Sequence, residues 1–91
     1  MSTKPFDIAE YLDSDEDIRQ FLEEAASSGD SSDLIHALNI AARARGMSEV
    51  ARQSGVTRAS LYKSLSENGN PRLDTISKIA GAFGCRLTLV H

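Results

Sequence analysis

Tryptophan is absent, aromatic residues make up only 5% of the chain, and one cysteine and two prolines complete the scarce residues. With so few rings the core must be filled by Leu, Ile, Val and Ala, a mixture that suits small packed helices, so an all-α fold is expected. A lone Cys85 excludes an intramolecular disulfide, and His36 and His91 stand far apart with no zinc-ligand spacing around them. No apolar run approaches the roughly 18 to 20 residues that span a bilayer, and the opening MSTKPFDIAEYLDSDED has no signal pattern. A cytoplasmic protein with no membrane partner is expected. Gly-rich phosphate loops are missing, and Asp13-Ser14-Asp15-Glu16-Asp17 lacks the Gly and closing Glu of an EF-hand. Cys85 follows a helix end, where the dipole disfavours a thiolate, and no His stands near it. Neither a catalytic set, a metal site nor a cofactor is expected, and the chain does not read as an enzyme.

What is present is an ordinary globular composition, 41% hydrophobic and 25% charged over 91 residues, enough for one core and not two. The net charge of −3 hides a segregation. Residues 1–33 hold ten acids and two bases, net −8, whereas residues 34–91 hold eight bases and three acids, net +5. Because salt screens charges beyond roughly 10 Å at 0.1 M, a polyanion would feel the basic part and not the average. The chain therefore divides into an acidic helical extension, 1–33, and a basic part, 34–91, expected to form one compact unit.

Helical spacing runs through both parts. A short turn holds Ile8, Tyr11 and Leu12, and Ser14 stands as an N-cap before three acids. Ile18, Phe21, Leu22 and Ala25 form one stripe, with Gly29 placed to end that helix and residues 27–32 as loop. Leu34, Ile35, Leu38 and Ala41 or Ala42 repeat the spacing, closing at Arg43, Arg45 and Gly46. Further on, Leu73, Ile76, Ile79, Ala80 and Phe83 predict a core helix, capped by Asp74 and stopped at Gly84. Arg86-Leu87-Thr88-Leu89-Val90 alternates as a strand does, and a lone strand needs another chain's edge, which predicts a homodimer or a hetero-complex unless the segment is a frayed tail.

The specific pattern lies between. Ser48 is expected to cap a helix over residues 49–54, Gly55 to allow a tight turn, and Thr57 to cap a second helix through Leu65. Counting Met47 first, Ala51, Gly55 and Leu61 take the fifth, ninth and fifteenth places, the steric skeleton of a helix-turn-helix. An αα-corner packed for stability alone remains open. Ser64 stands where many repressors of this kind carry a bulky apolar residue, and Leu65 is apolar instead, so a recognition helix rotated by part of a turn is admitted. On such a helix Arg58, Ala59, Tyr62 and Lys63 face a major groove: Arg58 suits a bidentate bond to guanine, Ala59 a thymine methyl, and Lys63 a base or a phosphate. Ser48 and Thr57 suit phosphate, with Arg52 and Arg72 as backbone-steering charges.

The runs PFDIAEYLDSDEDIRQFLEEA and ALNIAARARGMSEVARQSGVTRASLYKSLSENGNPRLDTISKIAGAFGCRL, nearly the whole chain, resemble the HigA-type addiction-module antidote proteins. The most specific piece joins the recognition helix to the SENGNP turn. The resemblance implies a small lambda-repressor-like helix-turn-helix bundle with an N-terminal helical extension and a short C-terminal strand. It also implies a dimer that binds operator DNA to repress its own operon and neutralises a RelE/ParE-like toxin. Such toxins are small and basic, so the −8 segment with Phe6, Ile8, Tyr11, Leu12, Phe21 and Leu22 is a complementary toxin-binding surface, unless those side chains only pack on the domain. Two other readings stay open: a stand-alone dimeric regulator without a toxin, and a protein-interaction module that uses the motif as scaffold.

Overall fold

The computed structural model describes residues 8–66 and 69–87, with the Ile8 side chain left out. A 3-10 turn, Ile8–Tyr11, leads into α1 (Asp15–Ala26), which starts where the capping chemistry predicts: the Ser14 hydroxyl accepts the Asp17 N–H at 3.1 Å. Ile18 and Leu22 enter the core, while Phe21 and Ala25 lie half-buried at its edge. α2 (Ser31–Arg45) begins earlier than the loop-like composition of residues 27–32 suggests. The Asp30 carboxylate accepts both the Ser32 N–H (2.9 Å) and its hydroxyl (2.8 Å), and these bonds hold its carboxyl below the usual carboxylate range. The expected boundary between residues 33 and 34 thus falls inside the first turn of α2.

A single residue, Gly46, joins α2 to α3 (Met47–Ser54). Met47 is buried and already helical, so the helix starts one residue ahead of Ser48, and Ser48 sits exposed in the first turn. Gly46 is the N-cap, without a side-chain bond, which corrects the expectation of a Ser48 cap. Gly55 turns the chain at φ +81°, and Thr57 caps α4 (Arg58–Ser64) by accepting the Ser60 N–H at 3.0 Å. α5 (Leu73–Ala82) takes Arg72 as its N-cap. Asp74, expected there, lies two residues later, near the positive end of the helix, and accepts the Thr75 N–H at 3.0 Å. At the other end the Gly84 N–H reaches the Gly81 carbonyl and the Cys85 N–H the Ala80 carbonyl, both at 3.0 Å, the paired bonds of a Schellman stop.

The five helices share one core. α1 lies on α2, and α3 sits between α2, α4 and α5. Phe83, Leu38, Leu61, Ile79 and Val50 are its largest fully buried side chains, and Ile18 and Leu22 from the acidic segment belong to the same cluster. Among the described residues there is no strand: Arg86 and Leu87 have no regular structure, and the rest of the expected strand, 88–90, lies outside the described residues. No helix of the described residues is long and apolar enough to cross a membrane.

Arg45 ties these pieces together. Its side chain is only 15% exposed, and its guanidinium lies 4.9 Å above the Phe83 ring. One terminal nitrogen donates to the Ala82 carbonyl at 2.6 Å and to the Gln53 amide oxygen at 3.3 Å; the other is paired with the Asp15 carboxylate. Arg45→Ala should lower stability by about 3 kcal/mol, because it strands a part-buried helix-end carbonyl and uncovers Phe83. In a domain of this size that is a fall of more than ~10 °C in melting temperature. Thermal unfolding followed by circular dichroism measures it, and a change under ~3 °C would show that the contacts carry little.

Candidate nucleic-acid interface

α4 shows two faces. Leu61 and Leu65 point inward and are buried, at 0% and 2% exposure, while Arg58, Ala59, Tyr62 and Lys63 all lie on the exposed side. Ser64 is half-buried, so Leu65, one place on, supplies the apolar anchor. The Arg58 guanidinium stacks 5.6 Å from the centre of the Tyr62 ring and donates a long bond, 3.4 Å, to its hydroxyl. That contact holds a forked cation close to the helix surface and leaves its remaining N–H donors outward.

The phosphate candidates are dispersed around this face. Thr57 spends an acceptor lone pair on its cap and keeps its O–H as a donor. Ser48 is exposed in the first turn of α3, a helix end with no side-chain cap and hence with backbone N–H groups open to an anion. Arg52, on the same helix, is engaged by Glu49: its Nε donates to Oε2 at 3.1 Å and a terminal nitrogen pairs with the other carboxylate oxygen. The pair holds Glu49 below and Arg52 above their ordinary values. Arg72 is well exposed, 3.7 Å from Asp74, and shares with Lys63 a depression lined by Ser66, Gly69 and Pro71.

Two glycines build this region for different reasons. Gly55 needs a positive φ, and open space surrounds the place a Cβ would take. At Gly69 a Cβ would stand 2.6 Å from the carbonyl oxygens of Lys63 and Ser64, so the turn after α4 closes onto the helix end only because that position has no side chain. The SENGNP run gave no sign of this, since a close approach depends on where the chain returns.

The residues assigned to toxin binding separate. Phe6 lies outside the described residues and the Ile8 side chain is not described; Tyr11 is 62% exposed beside α2. Leu12 and Phe21 pack partly on the core. Leu22 is a correction: at 4% exposure it fills the core of its own chain and has no surface to offer. The stripe that revealed the helix could not say which of its members face inward. Elsewhere, His36 is exposed, partial burial pushes the Cys85 thiol up from its ordinary value, and among the described residues no three His, Cys, Asp or Glu side chains are grouped to hold a metal ion.

Fold and surface together define a small all-helical protein whose acidic and basic halves share one core. Over residues 2–91 the sequence matches the family model described as "Probable addiction module antidote protein". It is 43% identical over 80 residues to an uncharacterized protein of Haemophilus influenzae, an alignment covering 88% of this chain and 82% of that one. No solved structure matches. The chain belongs to this addiction-module antidote family.

The contrast between the two glycines is measurable. Gly55→Ala should cost about 1 to 2 kcal/mol through backbone strain, and Gly55→Asn should recover much of that, because Asn tolerates the left-handed region. Gly69→Ala should cost about 1 to 3 kcal/mol through overlap with backbone, and Gly69→Asn at least as much. Urea unfolding of the four variants checks the pattern; a rescue by Asn at position 69 would contradict the close approach.

Proposed function

We propose that this protein is an antitoxin that neutralises a RelE/ParE-superfamily toxin by direct binding and, as a cytoplasmic homodimer, represses its own operon through a helix-turn-helix formed by α3 and α4. An antidote requires a toxin, and the family places the chain among antidotes. The observation that carries the DNA half of the proposal is the outward row Arg58, Ala59, Tyr62 and Lys63 on a helix anchored from beneath by Leu61 and Leu65. Arg58 would read a guanine edge, Ala59 would meet a thymine methyl, and Ser48, Thr57, Lys63 and Arg72 would hold phosphates on either side. Arg52 joins them if phosphate displaces Glu49. On the acidic side, the exposed Tyr11 and the edge-lying Phe21 are the rings that a basic toxin would meet.

Toxins of this kind are usually encoded beside their antitoxins, so co-expression with the adjacent small reading frame tests the antidote half: the neighbour alone should arrest growth, and this chain should restore it and co-purify with it. A harmless or unbound neighbour would favour the stand-alone regulator. For the DNA half, operator affinity should fall steeply with salt. With Lys63, Arg72 and an Arg52 released from Glu49 each on a phosphate, a dimer neutralises about six, for a log–log slope of about −5. Arg58→Ala should cost about 1 to 3 kcal/mol on the specific site with little change in slope, whereas Arg72→Ala should flatten the slope by about 2. Gel-shift titrations across a salt series measure both, and a flat response would point to a protein-interaction module with the motif as scaffold.

A further inference from the structure

An open groove of about 430 Å³ runs between α1 and α2, on a face not assigned to DNA. Its floor is apolar, made by Phe21 and Ala25 from α1 and Ile40 from α2, and its rim carries Glu24, Asp33 and His36. The two acids differ in what accounts for them. Asp33 stands in the first turn of α2, where the helix dipole favours a negative charge. Glu24 stands in the last turn of α1, where the dipole disfavours one, and that turn holds no base. Among the described residues neither acid pairs with a basic side chain. Neither the helix dipole nor an ion pair among the described residues stabilises the Glu24 charge, so that charge suits something outside the chain.

From the apolar floor, the two unpaired carboxylates and the misplaced charge, we infer that this groove is the seat of a cationic amphipathic helix of the toxin. Its apolar residues lie on the half-buried Phe21 and Ala25, and its Lys or Arg side chains reach Glu24 and Asp33. Helix-in-groove docking lays the apolar face of an amphipathic helix into an apolar channel, and the acidic rim adds charge complementarity to a cationic one. The net −8 of residues 1–33 adds long-range attraction for such a partner. The inference rests on the antitoxin reading and deepens it: it moves the docking surface from the acidic N-terminal segment alone to the seam that α1 makes with α2.

The position of Glu24 provides a test in which stability and binding move apart. Glu24→Lys puts a cation at the negative end of α1, so the melting temperature should hold or rise, while affinity for the toxin should fall at least tenfold. Glu16→Lys makes the same change of net charge in the first turn of α1, where Glu16 accepts from Arg19 at 3.1 Å and Gln20 at 3.2 Å. It should lower the melting temperature yet leave affinity within about threefold. The probe is the purified product of the adjacent small reading frame, titrated by calorimetry against the full-length wild-type chain and both variants. If wild type binds and the two variants weaken it equally, or neither does, the groove is overturned and the antitoxin reading stands. If wild type does not bind, the antitoxin reading falls and takes the groove with it. If Glu24→Lys instead changes the oligomeric state of the free chain in sedimentation, the groove holds a second copy and the inference is overturned.

Discussion

One cation fixes how these short helices meet. Arg45 ends α2, lies against the ring of Phe83, and donates both to the carboxylate of Asp15 and to the last carbonyl of α5. Both terminal nitrogens are used, and a lysine could not reproduce that fork. The site is a junction of helix ends: Asp15 opens α1, where a negative charge is favoured, and Ala82 closes α5, where a positive one is. Arg45 therefore satisfies two helix termini at once while its guanidinium covers Phe83, among the described residues the one aromatic ring that is fully buried.

The consequence reaches the surface through α3. This helix packs on α2, α4 and α5, and its Gln53 also accepts from Arg45. α4 has only seven residues, too few to persist alone in water, since nucleating a helix costs more than so short a run returns. Its outward cations are held in place by what lies beneath them: Leu61 and Leu65 in the core, the Thr57 cap at one end and the glycine-closed turn at the other. α3 thus stands between the Arg45 junction and α4, in contact with both. In this molecule the geometry of the charged face is a property of the core.

Much of this was legible in the residues. The Ser14 and Thr57 caps, the turn at Gly55 and the stop at Gly84 are local signals, settled within one or two turns of chain, and each was found where the sequence places it; the apolar stripes were found too, except that Leu73, expected in the core, is 72% exposed. The errors arose where distant chain decides. Ser48 and Asp74 are good capping residues, but Met47 and Leu73 are already helical ahead of them, so both fall inside their helices. Leu22 shares a stripe with Phe21, and only the position of α2 shows that one is core and the other edge. Arg45 reads as a routine C-terminal base, and nothing local announces Phe83, thirty-eight residues later.

Charge segregation gives the arrangement its economy. Had the −8 and +5 parts been separate domains, each would need its own core, and neither has apolar residues to spare. Sharing Ile18, Leu22, Leu38 and Phe83 in one cluster removes that cost but brings opposite charges within a few tens of ångströms of each other. Screening over roughly 10 Å allows this, since the field of each surface is then almost independent of the other. Where a pair does form across the divide, between Asp15 and Arg45, it is spent on the junction that holds the helices and leaves Arg58 and Lys63 exposed. A small protein can thus offer an acidic seam and a basic helix at once, provided that the few cations drawn into the core are those that neither surface needs.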